Sequence, residues 1–205
     1  AGGSFITIWQ HGGKPVTIDG NVAVPGAGLA DDERGLGATG VTMDYGGGIE
    51  TLVGTGAVAI PGSLAAIEYA WKKFGAARWE TIFAPSIRAA RDGFSLSAAC
   101  HYYLSYSGDC IFARSDDGHS ALHHPDGTLR DAGSRIVVPH LADTLDAISQ
   151  EGARLFYAGE LAAVLSDHCR DGGGMLTRED LSTYRAIERP SLMTNVGDWR
   201  IASNP

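Results

Sequence analysis

The sequence predicts a mixed α/β fold, and three observations carry that prediction. Of the 205 residues, 44% are hydrophobic and 20% charged, enough apolar material for a buried core and unlike a disordered or collagen-like chain. Apolar residues alternate with a period of two near the N-terminus and with a period near 3.6 after Pro61, the signatures of strand and helix. Glycine is the outlier at 28 residues, about twice its usual share of roughly 7%, so many tight backbone positions are expected. The net charge of −8 gives no electrostatic reason to approach a polyanion, which argues against nucleic acid as a partner. No run approaches the roughly 18 to 20 apolar residues of a membrane-spanning helix. The opening stretch, Ala1 to Trp9, also lacks the basic flank of a secretory signal.

Phe5, Thr7 and Trp9 alternate with Ile6 and Ile8 before a His11-Gly12-Gly13-Lys14 turn and a return through Val16 and Ile18, which reads as a β-hairpin. Both faces carry apolar groups, so the pair is expected inside a covered sheet rather than at an edge with one wet face. Pro25 to Gly48 is Gly-rich and shows no lasting periodicity, with Asp31-Asp32-Glu33 followed by Arg34. It reads as a long excursion loop, a place for a substrate-facing or interface element. After Pro61-Gly62-Ser63, the residues Leu64, Ile67, Tyr69, Trp71 and Phe74 fall near one face and Gly75 supplies a stop, predicting a helix. A second helix is expected from about Trp79 to Asp92, with Ile82, Phe83, Ile87 and Ala90 inward, Gly93 behind and Pro85 as a start or kink. Further helices are predicted near Ser97 to Ser105, Leu141 to Gln150 and Gly159 to Asp171. Thr177 before Arg178-Glu179-Asp180 has the form of an N-terminal cap with acid in the first turn, opening a short helix to about Tyr184. Asp198 to Ala202 reads as a closing strand.

Taken alone, these residues nominate no catalytic group. Gly54-Thr55-Gly56 lacks the glycine and lysine spacing that brings backbone amides and a cation onto phosphates, and reads as a turn into a helix. His119, His123 and His124 precede a Pro125-Asp126-Gly127 turn without a metalloprotease pattern, and read as a solvated loop. Gly93-Phe94-Ser95-Leu96-Ser97 has Ser97 where a nucleophile elbow needs its second glycine. Cys100, Cys110 and Cys169 are odd in number and lack zinc-site spacing. Small buried thiols and a single Cys100 to Cys110 bridge both stay open.

The succession of short words is more informative than any single motif. In order stand Gly2-Gly3-Ser4-Phe5, Ile18-Asp19, Ala59-Ile60-Pro61-Gly62-Ser63, and Ala84-Pro85 through Ala89-Ala90-Arg91-Asp92-Gly93-Phe94. They are followed by Leu141-Ala142-Asp143-Thr144-Leu145, Phe156-Tyr157-Ala158-Gly159, and the run from Gly173-Gly174-Met175-Leu176-Thr177 to Tyr184. This order resembles the gamma-glutamyltranspeptidase family over nearly the whole chain. The resemblance implies part of an αββα N-terminal nucleophile hydrolase sandwich. In such proteins a precursor cuts itself into a large and a small subunit, and the new N-terminal Thr of the small subunit is the nucleophile. Residues 1–205 are expected, on that resemblance, to be the middle of the large subunit, truncated at both ends.

On that resemblance no residue of this chain is the catalytic nucleophile. A weak hydroxyl nucleophile needs a base, which the family takes from the Thr's own free amine; Thr55 and Thr177 are internal and read as a turn residue and a helix cap. The implied partners are the small subunit or C-terminal continuation carrying the Thr, and a small-molecule amide or γ-glutamyl substrate. No metal or organic cofactor is implied, and cytoplasmic, periplasmic and secreted locations all stay open. One departure bears on specificity. Where family members read Asp-Phe-Arg-Glu, with the Arg gripping the substrate α-carboxylate, this chain reads Asp19-Gly20-Asn21-Val22 before a matching Pro25. Asn21 donates hydrogen bonds without charge, so the expected acyl group differs from glutamyl. Arg34 is the alternative source of the cation if the alignment slips. The rival reading, motivated by Asn21, is a catalytically retired homologue serving as a binding or interaction domain.

Overall fold

The computed structural model describes residues 2–34 and 36–205. Its strands are β1 (Ser4–Ile8), β2 (Val16–Gly20), β3 (Thr39–Met43), β4 (Ile49–Val53), β5 (Phe94–Ser95), β6 (Arg135–Ile136), β7 (Ile187–Pro190), β8 (Leu192–Val196) and β9 (Trp199–Ser203). The helices are α1 (Ser63–Phe74), α2 (Trp79–Asp92), α3 (Ala98–Ser107), α4 (Asp116–Leu122), α5 (Leu141–Glu151), α6 (Arg154–Tyr157), α7 (Glu160–Asp171) and α8 (Arg178–Thr183). A π-helical turn, Gly108–Phe112, follows α3.

The expected hairpin is β1 and β2, but it joins a third strand from the far end of the sequence, giving the antiparallel order β1-β2-β7. β2 is central, with Ile18 opposite both Ile6 and Glu188. Helix α1 packs on one face only. There Ile18 is fully buried, and a Cβ on Gly20 would lie 2.3 Å from the Ala66 Cβ, so glycine is what lets α1 sit against the strand. Glu188 belongs to that face and accepts from Tyr69 Oη at 3.1 Å, with the Lys73 ammonium beside it. The other face carries exposed Phe5 and Ile187. The sheet is therefore covered on one side in this chain, not on both.

Two apolar clusters hold the helices together. Trp79, Phe83 and Ile87 of α2 pack with Ile148 of α5 and Leu155 of α6, and the Trp79 indole donates to the Ile148 carbonyl at 3.1 Å. Ile60, Ala153, Tyr157, Ala162, Cys169, Leu176 and Leu181 form the second cluster; a large aliphatic side chain buried this way contributes about 1.5–3 kcal/mol. α2 runs unbroken through Pro85, and its inward stripe starts at Trp79, so Ile82 points outward, as does Ile67 on α1. The Pro25 to Gly48 stretch is not all loop. It contains a 3₁₀ turn, Asp31–Glu33, and strand β3, which pairs with β4 in a separate ribbon. All three cysteines are free thiols, and only Cys169 is buried. Among the described residues no helix is long and apolar enough to cross a membrane.

Candidate functional site

β2 ends at Gly20 because the next residue turns the chain out of the sheet. The Asn21 N–H donates to Asp19 Oδ1 at 2.9 Å, and the Asn21 side-chain oxygen accepts from the Val22 N–H at 2.8 Å. This leaves the Nδ2 amino group as the free end of the amide, without a protein acceptor among the described residues. Gly3 of the neighbouring segment packs against it closely enough that a Cβ there would fall 2.3 Å from Asn21 Oδ1.

The limb that follows is tied down at three points by residues distant in sequence. The Tyr184 hydroxyl donates to the Asn21 carbonyl at 2.5 Å. Ala23 and Ile60 exchange backbone hydrogen bonds at 3.2 and 2.8 Å. Gly26, at φ 76°, donates its N–H to the buried Asp180 at 3.0 Å. Asp180 also closes the predicted cap of α8, accepting from the Thr177 N–H at 3.0 Å and hydroxyl at 2.8 Å. Burial pushes its carboxyl up, but the N–H groups of Gly26, Thr177 and Ala27 with the Thr177 hydroxyl outweigh that and hold it below the ordinary 3.8. Beneath the limb, Tyr157 stacks on Tyr184 at 5.9 Å. Its hydroxyl donates to the Pro61 carbonyl at 2.7 Å and accepts from the Ala65 N–H at 3.1 Å. Burial raises the Tyr157 phenol to about 12, so at neutral pH it is a donor.

Asp19 has a second partner. Its Oδ2 accepts from Arg189 Nε at 2.6 Å, so one carboxylate bridges the Asn21 limb and strand β7. The Asn21 N–H foremost, with Arg189 added and against partial burial, holds this carboxyl below its ordinary value. Beyond Asn21, Val22 lines an apolar cavity of about 790 Å³ with Leu52, Val58, Phe112, Phe156 and Leu176.

Arg34 folds onto its own turn, donating from Nη2 to the Leu29 carbonyl at 3.2 Å, with Nε 3.6 Å from Asp31; its partners are not those of Asn21. Thr55 donates to the Gly172 carbonyl at 2.7 Å in a 3₁₀ turn. The histidine cluster is no solvated loop. His119 lies on α4, and its ring stacks on that of His123 at 4.3 Å. His123 is buried, with Nε2 2.8 Å from Asp109 Oδ1, so the π-helical turn supplies a carboxylate partner that the sequence did not reveal. Among the described residues no group of three or more acidic, His or Cys side chains converges on a metal position. The Asp19–Arg189 contact had no sign in the sequence beyond a charged residue in a short extended run, Ile187 to Pro190, with no local indication of a partner.

The family model for gamma-glutamyltranspeptidase matches residues 1–205. The chain belongs to the gamma-glutamyltranspeptidase family. It is 28% identical to glutathione hydrolase proenzyme 1 of Schizosaccharomyces pombe over 98% of its length and 30% of that protein's. With the glutathione hydrolase proenzyme of Escherichia coli it shares 26% identity, over 100% of the chain and 34% of that protein. It thus spans about a third of the curated relatives it matches. The gamma-glutamyltranspeptidase of Pseudomonas nitroreducens, solved with L-DON, superposes with a TM-score of 0.79 at 27% identity, over 100% of this chain and 57% of that one. The Helicobacter pylori gamma-glutamyltranspeptidase gives 0.81 at 25%, over 100% and 56%. The fold is therefore the α/β fold of the N-terminal nucleophile hydrolases of this family.

Proposed function

We propose that residues 1–205 are the middle of the large subunit of an amidohydrolase or acyltransferase that cleaves γ-glutamyl or related acyl amides. The chemistry runs through an acyl-enzyme on a Thr outside these residues, contributed by a small subunit or C-terminal continuation. The Thr's free amine takes the hydroxyl proton as the Thr attacks the amide carbonyl, the amine leaves, and water or a second amine releases the acyl group. Family membership supports the reaction class. The observation that carries the placement of the substrate is the Asn21 limb, pinned by Tyr184, Ile60 and Asp180 in the sequence position where the resemblance puts the carboxylate-reading residue. An anchored donor at a turn suits recognition, because little ordering remains to be done when a ligand arrives.

The test is release of p-nitroaniline from γ-glutamyl p-nitroanilide. The purified 205-residue chain is expected to be inactive and the full precursor active after self-cleavage. Turnover by the isolated chain that survives repurification would overturn the proposal. Asn21 favours one rival, a retired homologue acting as a binding domain, and a full precursor that neither cleaves itself nor turns over any acyl anilide would establish it.

A further inference from the structure

We infer that Ser63, in the first turn of α1, is a positioning residue for Asn21: acting through the Gly2 carbonyl, its hydroxyl fixes the segment that walls the Asn21 amide. The inference rests on the reading above that puts Asn21 at the substrate, and it adds what holds the side chain in place there.

The Gly2 carbonyl accepts three hydrogen bonds from the start of α1. The Gly62 N–H donates at 3.2 Å, the Ser63 N–H at 3.0 Å and the Ser63 hydroxyl at 2.7 Å. The first N–H groups of a helix have no partner within it, so two of these bonds belong to the backbone. The shortest is the one that the Ser63 side chain adds. It fixes the direction of the Gly2 carbonyl, and because a peptide unit is planar it fixes the entry into Gly3 as well.

Gly3 is what makes that plane matter. A Cβ there would lie 2.3 Å from Asn21 Oδ1 and 2.8 Å from both the Asn21 Cα and the Val22 nitrogen, so the bare backbone of Gly3 is in contact with the amide. The same oxygen accepts from the Val22 N–H. Between them, Gly3 and Val22 hold the oxygen end of the side chain and turn Nδ2 away. The other flank of Asn21 is set by the same corner of the chain. A Cβ on Gly62 would lie 2.4 Å from the Asn21 carbonyl oxygen and 2.1 Å from the Tyr184 hydroxyl, the group that donates to that carbonyl. Pro61-Gly62-Ser63 therefore holds Asn21 from two sides, the backbone through Gly62 and Tyr184, the side chain through Ser63, Gly2 and Gly3. Tyr157 keeps the corner itself in place, since its hydroxyl joins the Pro61 carbonyl to the Ala65 N–H. All of these contacts are made within this chain.

The experiment measures kcat and KM of the self-processed full protein on γ-glutamyl p-nitroanilide. Ser63→Ala should raise KM by about two- to tenfold, the range of one neutral hydrogen bond, with kcat unchanged, because a misplaced donor weakens ground state and transition state alike. Ser63→Thr keeps the hydroxyl and should return KM to the wild-type value. A variant that merely folds less well loses active protein, which lowers the apparent kcat and leaves KM alone. In an Asn21→Ala background, Ser63→Ala should have no further effect on KM. Equal KM in wild type and Ser63→Ala overturns the inference, as does a rise that persists in the Asn21→Ala background. If nothing is turned over, or Asn21→Ala leaves KM unchanged, the reading of Asn21 as a substrate contact fails separately. Positioning is then judged by hydrogen exchange at Val22 in the full precursor, since the Asn21 oxygen holds that N–H. Faster exchange in Ser63→Ala, with wild-type exchange in Ser63→Thr and no change at Ile18, supports the role of Ser63, and equal exchange at Val22 overturns it.

Discussion

On the α1 side of the three-stranded sheet, Ile18 has no exposed surface, Gly20 admits Ala66 at contact distance, and Tyr69 and Lys73 reach Glu188. On the opposite side Phe5 is 39% and Ile187 50% exposed, and polar pairs replace packing. Thr17 shares hydrogen bonds with Thr7 at 3.0 Å and Ser191 at 2.8 Å, and Asp19 holds Arg189. One side supplies stability through apolar burial. The other holds its polar groups in register, with Asp19 half-buried beneath a more exposed Arg189. Within residues 2–34 and 36–205, truncating an exposed side chain on this second face should therefore cost the fold less than truncating one on the α1 side.

The largest expected contrast is between Ile18→Ala and Phe5→Ala. The first removes a fully buried side chain from the closed side and should lower the unfolding free energy by about 2–5 kcal/mol; the second should cost less than about 1 kcal/mol. Urea denaturation with unchanged slopes measures both, and equal losses would erase the distinction between the faces.

Next in size is Asp180, which belongs to neither face but fixes the limb between them. Asp180→Ala leaves the Gly26 and Thr177 N–H groups without their acceptor and should cost about 2–3 kcal/mol. Its carboxyl is held below 3.8 in the folded state, so the unfolded chain takes up the proton more readily. The contribution is therefore complete above the ordinary carboxylate range and lost as pH falls through the folded value. Melting curves of wild type and variant should stand apart at pH 6 and draw together only as pH falls below 3.8 through the folded value. A constant gap down to acid pH would mean that Asp180 acts by packing alone.

The smallest effect should come from Tyr184→Phe, which deletes one hydroxyl and so costs about 1 kcal/mol or less. Its signature is local: amide exchange at Asn21 and Val22 should quicken while that of Ile18 is unchanged. Uniform acceleration would show that the limb and the closed side open as one unit.

Legibility in the sequence followed the range of the interaction. The ends of α1 and α2, and the Thr177 cap of α8, were readable because each is set by residues within a turn or two. β3 was hidden by Gly40 and by Gly46-Gly47-Gly48, which interrupt the alternation of Thr39, Val41 and Met43. β7 was hidden because Glu188-Arg189-Pro190 looks polar until it is laid beside β2, where each of the two charges finds a partner on its own side. Asn21 became a candidate only through a family resemblance, and Arg189 had no local signal at all. His123 shows the same limit, since its Asp109 partner lies across a π-helical turn that composition does not announce.

The pairing of β2 with β7 also has a consequence in time. Asp19 and Arg189 are 170 residues apart, and ribosomes add about 5–20 residues per second. The N-terminal hairpin therefore leaves the exit tunnel with one edge of β2 bare and waits on the order of 10–30 s before its permanent neighbour is made. During that interval Val16 and Ile18 lie on a strand whose backbone groups are open to any passing chain. Lys14 and Pro15, immediately ahead of β2, are residue types that discourage such adventitious pairing. The period for which that edge stays bare is set by the rate of elongation, and slow codons in the helical middle of the message would lengthen it.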